Sequence, residues 1–175
     1  MHLTEAAVML AFAFHLFRRN PSLTRVEIHP DGEHGKRFDI QGWLESQGFA
    51  LIRREGTTSY GGEYSDGSRE LYVSLKPGLG DVVTSTNGVH IVAECKGGII
   101  NSKHAGQKSR LRKGLCEAVG LLLSRPIGDE MQFAVVPKTQ DTETLSGRMI
   151  ARCKTSGIGI CLVGADGSVF EVGAS

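Results

Sequence analysis

Asp81, Glu94 and Lys96 are the residues of this chain whose types and spacing suit chemistry. Successive side chains of a strand point to opposite faces, so Glu94 and Lys96 project together with Val92, while Ile91, Ala93 and Cys95 face the other way. Asp81 lies 13 positions before Glu94, across Asn87-Gly88, the strongest hairpin signal in the chain. Two carboxylates brought together form a hard, oxygen-rich site suited to Mg²⁺ or Mn²⁺. A lysine beside them completes a set suited to hydrolytic cleavage of a phosphodiester. The tripeptide Glu94-Cys95-Lys96 alone carries no weight, because 19 acids and 8 lysines in 175 residues yield about one Asp/Glu-x-Lys by chance. Its context carries it: an apolar strand before it, a hairpin bearing an upstream Asp, a Gly-Gly exit and a basic helix. The plainer alternative puts Glu94 and Lys96 on the solvent face of an edge strand, with Asp81 a turn residue.

The elements that must position these residues follow from periodicity and punctuation. Residues 3–19 read as a helix, apolar almost all round and so packed on several sides, with a stop at Asn20-Pro21. Residues 25–37 read as a polar loop with a short extended piece at Val26–Ile28, and 38–46 as a short helix feeding a strand at 49–52. Gly56–Ser68, rich in Gly, Ser and Thr and carrying Tyr60 and Tyr64, is expected to be too polar for core and long enough for a mobile flap. Leu71–Leu75 alternates as a strand, and Asp81–Thr86 pairs with Val89–Lys96 as a hairpin. Ser102–Ser124 reads as a helix with Leu111, Leu115, Ala118, Val119 and Leu122 on one stripe. Met131–Val136 follows as a strand, Asp141–Ser156 as a helix, and Gly157–Val163 with Val169–Val172 as a second hairpin. Length and element order predict one α/β domain over residues 1–175, a central mixed β-sheet flanked by helices. Its expected parts are a helical extension over 1–37, a core over 38–163 and a terminal hairpin strand over 164–175.

Asp81, then Glu94-Cys95-Lys96 on the next strand, then a polar and basic helix, resembles the PD-(D/E)xK nuclease superfamily with its restriction-endonuclease-like fold. The resemblance spans residues 38–163, as an order of elements more than as sequence. Gly80 stands where many members have proline, and Leu111 stands where some branches have a tyrosine after the position of Gln107. The resemblance implies a Mg²⁺- (or Mn²⁺-) dependent deoxyribonuclease, an endonuclease more than an exonuclease. Asp81, Glu94 and the backbone carbonyl of Cys95 would hold the metal, Lys96 would act in catalysis, and Gln107 would stand near the site.

Charge placement adds a second clue. The net charge of +1 excludes a polybasic coat, and the 6% aromatic content argues against a stacking platform for single strands. Yet Cys95 to Cys116 holds six of the 20 basic residues and no acid, leaving 14 basic against 19 acidic residues, or −5, elsewhere. On a helix Lys103, Arg110 and Lys113 lie opposite the leucine stripe and Lys108 and Arg112 flank it, so all five are expected to contact nucleic acid, DNA first. The ordinary alternative is a solvated face with Lys113 and Glu117 as an i,i+4 pair.

Other candidates are plainer. His29, Asp31, Glu33 and His34 form a polar cluster whose spacing fits no zinc pattern and reads as a solvated loop. Glu5 suits the helix dipole, with a reach toward the metal as its alternative. Trp43 reads as core, and four widely spaced cysteines without a CxxC pair read as reduced thiols. Ala6–Phe17 falls short of the about 20 apolar residues of a bilayer span, so no membrane and a cytoplasmic location are expected. A homodimer or a partner subunit is left open. The competing expectation is a non-catalytic nucleic-acid-binding or assembly module on the same fold.

Overall fold

Helix α1 (Glu5–Arg19) opens the architecture, capped by the Thr4 hydroxyl, which accepts from the Ala7 N–H. Its residues from Val8 to Phe17 are all buried, so it is packed on several sides, as its all-round apolar sequence demands. The computed structural model describes residues 1–31, 37–126 and 128–174. The remaining elements are β1 (His2–Leu3), β2 (Arg25–Ile28), α2 (Ile40–Ser46), β3 (Ala50–Arg54), β4 (Gly62–Ser65), β5 (Glu70–Val73), β6 (Val82–Thr86), β7 (Val89–Cys95), β8 (Gly98–Ile99), α3 (Ala105–Leu123), β9 (Met131–Pro137), α4 (Gln140–Thr155), β10 (Ile158–Val163) and β11 (Val169–Glu171).

Among the described residues, nine strands form one mixed sheet in the order β11-β10-β9-β7-β6-β2-β5-β4-β3. β7, β9 and β10 run parallel, joined by α3 and α4, while β6 and β7 form the antiparallel hairpin expected around Asn87-Gly88. Both residues of that turn have positive φ, the backbone state Asn and Gly reach at least cost. Alternation along the strands divides the core between the two sheet faces. Ala93, Cys95, Val135 and Cys161 pack toward α1, whereas Ala134, Val136, Ile158, Ile160 and Leu162 pack under α3 and α4. The structure is thus a single α/β domain, a large mixed sheet flanked by helices.

Three expectations change. Residues 25–28 are no loop fragment: β2 is an interior strand between β6 and β5, with Val26 and Ile28 fully buried. Together with α1 this makes the N-terminal segment part of the central core. Gly56–Ser68 is no polar flap either, since it contains β4, and Tyr60 and Tyr64 are buried, Tyr64 completely. The Tyr64 hydroxyl donates to the Tyr60 carbonyl at 2.8 Å, which satisfies it inside the core. Gly62, at φ 145°, lets β4 approach β3 so closely that a Cβ there would sit 2.1 Å from the Arg53 carbonyl oxygen. Finally, β7 lies inside the sheet between β6 and β9, so the edge-strand alternative for Glu94 and Lys96 is excluded.

Candidate active site

The site forms where β7 ends. β6 pairs with β7 through Val82↔Ala93 and Val83↔Val92, and one step further along that register sets Asp81 opposite Glu94. The Asp81 N–H donates to the Ala93 carbonyl at 2.9 Å, and Asp81 Oδ2 accepts from the Cys95 N–H at 2.7 Å. Backbone and side chain of Asp81 are therefore both clamped to the β7 backbone. Glu94 is 8% exposed, and alternation aims it, with Lys96, at the α3 face of the sheet. Cys95 faces the other way, fully buried in the α1 core as expected, and burial pushes its thiol pKa up. An inert structural thiol results.

Glycines bring the neighbours in. A Cβ on Gly97 would lie 2.5 Å from the Glu5 N atom and 2.7 Å from the Leu3 carbonyl oxygen, so only glycine there lets the start of α1 pack on the exit of β7. The short pair β1–β8 ties the same two segments together. A Cβ on Gly114 would stand 3.2 Å from the Lys96 Cβ, so α3 passes directly over the lysine. The Lys96 ammonium then lies 3.9 Å from Glu5 and 3.3 Å from Glu117. Glu117 thus turns to Lys96, and no ion pair joins it to Lys113 among the described residues, against the i,i+4 expectation.

Electrostatics set this cluster apart. Burial raises the Asp81 carboxyl to about 7, the hydrogen bond from Cys95 opposes it, and the charges of Glu94 and Glu5 reinforce it. Burial also raises Glu5, against the pull of Lys96. Burial works against the charge on Lys96, but Glu5, Asp81 and Glu117 outweigh it and hold the ammonium above its ordinary value. Lys96 is consequently a permanent cation at neutral pH, fit to stabilise negative charge and unfit to act as a base.

One resident of the site has no counterpart in the sequence reading. Arg125, just past the end of α3, donates from Nη2 to Glu94 Oε1 at 2.6 Å. Nothing local announces it: a basic residue between Ser124 and Pro126 reads as an ordinary helix ending. Among the described residues no three His, Cys, Asp or Glu side chains gather as a metal-binding group. The donors present, Asp81 and Glu94 with Glu5 nearby, are all carboxylate oxygens, which suits Mg²⁺ or Mn²⁺. Burial first, and the charges of Glu94 and Glu5 after it, disfavour the ionised Asp81 in the absence of a further cation. Of the two Glu94 oxygens, Arg125 holds Oε1.

The basic helix is divided by the fold. At about 100° per residue, Gln107 and Arg110 share the flank of Gly114 and Glu117, next to Lys96, with Lys113 behind them. Lys108 and Arg112 fall on the opposite flank, toward α4, where Lys108 lies 3.9 Å from Asp141. Lys103 precedes the helix, which begins at Ala105 and not at Ser102. All five cations are exposed. Gln107 stands two turns from Gly114, and no hydrogen bond joins it to Asp81, Glu94 or Lys96 among the described residues, so it is not assembled with them.

His29 is engaged elsewhere, 3.2 Å from Glu27 and 2.7 Å from the Lys76 carbonyl oxygen. Asp31 lies close enough to Glu5 for its charge to act there, while Glu33 and His34 fall outside the described residues. Trp43 is half-buried, edge-on to Phe14. No helix among the described residues is long and apolar enough to cross a membrane. Comparison with family models, with curated proteins and with solved structures finds no match to this chain.

Proposed function

We propose that this protein is a metal-dependent nuclease of PD-(D/E)xK type on a restriction-endonuclease-like fold, hydrolysing phosphodiester bonds in DNA as a cytoplasmic endonuclease. The observation that carries this reading is the convergence of Asp81, Glu94 and Lys96 at one end of the β6–β7 hairpin, with Asp81 pushed to about 7 by burial and by like charge. Asp81 and Glu94, with the Cys95 carbonyl, would hold Mg²⁺ or Mn²⁺. Bound there, such an ion polarises a phosphate and makes a water more acidic.

The protein's own residues divide the remaining work. Lys96, kept protonated by Glu5, Asp81 and Glu117, stabilises the charge that develops on the phosphate oxygens. Glu5 and Glu117 hold that ammonium in place, one from α1 and one from α3. Arg110 and Lys113, on the flank of α3 nearest Lys96, draw the nucleic-acid backbone toward the site. Lys103, Lys108 and Arg112 extend the basic surface away from it.

The test is cleavage of duplex, nicked, branched and single-stranded DNA with Mg²⁺ or Mn²⁺, by wild type and by folded Asp81→Ala and Lys96→Ala. Cleavage lost in both variants is expected, and cleavage unchanged in either sinks the assignment. The ion pair of Arg125 on Glu94 favours a second reading, a non-catalytic DNA-binding or assembly module. Salt-sensitive DNA binding with no metal requirement and no cleavage would select it.

A further inference from the structure

We infer that Arg125 is a built-in counter-ion of the candidate metal site, a positioning residue that holds Glu94 in the cation-free protein and competes with a divalent ion for its Oε1. This rests on the metal-site reading above and concerns how that site is regulated.

The geometry is specific. The Arg125 N–H donates to the Leu122 carbonyl at 3.2 Å, so the end of α3 fixes the backbone of this residue. The side chain then returns along the sheet to Glu94, where the two partners are only 19% and 11% exposed. Its Nε atom is buried with no hydrogen-bond partner among the described residues. Among the described residues, the pairing with Glu94 is the one side-chain hydrogen bond of this guanidinium. Gly80 borders the same space: a Cβ there would stand 3.4 Å from Arg125 Nη2 and would meet Val92 and the Ala93 carbonyl sooner.

Charge balance supplies the mechanism. Glu5, Asp81 and Glu94 face Lys96 and Arg125, and Lys96 is already shared between Glu5 and Glu117. Arg125 is therefore the cation that neutralises Glu94. An arginine does not lose its proton in a protein, so it cannot make way by becoming neutral. Arg125 occupies Glu94 Oε1, so a divalent ion that takes this oxygen displaces it, and the cost of that displacement lowers the metal affinity of the site.

Calorimetric titration with Mn²⁺ and with Mg²⁺ of wild type, Arg125→Gln and Arg125→Lys tests this, together with thermal unfolding in EDTA. Arg125→Gln is expected to unfold at lower temperature without metal, yet to bind Mn²⁺ at least about tenfold more tightly, because a repelling charge has gone. Arg125→Lys, which keeps the charge, is expected to stay within about threefold of wild type. Arg125→Gln binding no more tightly than wild type overturns the inference while leaving the metal site standing. Absence of Mn²⁺ binding by every form overturns the metal-site reading and this inference with it. Should Arg125→Gln fail to fold, the ¹⁵Nε signal of Arg125 in wild type decides: it is expected to move and saturate with Mg²⁺. A signal unmoved in metal-loaded protein refutes the displacement.

Discussion

Replacing Asp81 with asparagine should stabilise the metal-free protein, and by an amount that grows with pH. The Asp81 carboxyl, ordinarily near 3.8, is raised to about 7 by burial first and by Glu94 and Glu5 after it. A raised carboxyl means that the folded state binds more protons than the unfolded state between those two values. Stability is then highest at low pH and falls as pH rises through about 7. At about 1.4 kcal/mol per pH unit of displacement, the charged form costs on the order of 4 kcal/mol well above pH 7, and about 2–3 kcal/mol of that develops between pH 5 and pH 8. The asparagine side chain of Asp81→Asn keeps an oxygen for the Cys95 N–H, now accepted by Asp81 at 2.7 Å, and cannot ionise. Urea unfolding of both proteins in EDTA at several pH values between 5 and 8 measures the difference, in which titrations of groups remote from the site cancel. The variant should already be ahead by roughly 1–2 kcal/mol at pH 5, and by roughly 4 kcal/mol at pH 8. A gain independent of pH, or a variant less stable than wild type at pH 8, refutes the account of this carboxyl.

Gly97→Ala should cost about 1–3 kcal/mol, as overpacking does, because the new Cβ meets the Glu5 N atom and the Leu3 carbonyl oxygen. Unchanged urea stability would show that the start of α1 does not press on the β7 exit. Tyr64→Phe should cost about 1 kcal/mol, the usual worth of one buried hydrogen bond, since it deletes the donor to Tyr60. A loss near zero by the same measurement would place the hydroxyl in water. Under the nuclease reading, Arg110→Gln and Lys113→Gln should weaken DNA binding more than Lys108→Gln and Arg112→Gln do. Each of the first pair should lower the salt slope by about one. Equal effects of all four in a binding titration across salt concentrations would contradict the two-flank arrangement of α3.

The parts of this protein that its sequence determined are those governed by local periodicity. The β6–β7 hairpin follows from alternation on either side of Asn87-Gly88, α3 from a leucine stripe that is buried residue for residue, and α1 from an apolar run stopped at Asn20-Pro21. The facing of Glu94 and Lys96 away from Cys95 follows from the same two-residue period. Where glycine and hydroxyl residues diluted the pattern, as around Tyr64, composition suggested a flap while the tertiary structure made core. A glycine that permits close packing and one that merely breaks a strand look alike in a sequence. Gly97 and Gly114 show their purpose only through Glu5 and Lys96 on other elements. The partners of the candidate site were likewise decided by tertiary structure alone. Arg125 meets Glu94 across 31 positions, Glu5 reaches Lys96 from the far end of the chain, and Glu117 leaves its helical neighbour for the same lysine. Residue type and spacing therefore proposed which groups could do chemistry. Which charges they face, and so what protons and ions they can hold, depended on burial and on contacts between distant segments, for which no local pattern exists.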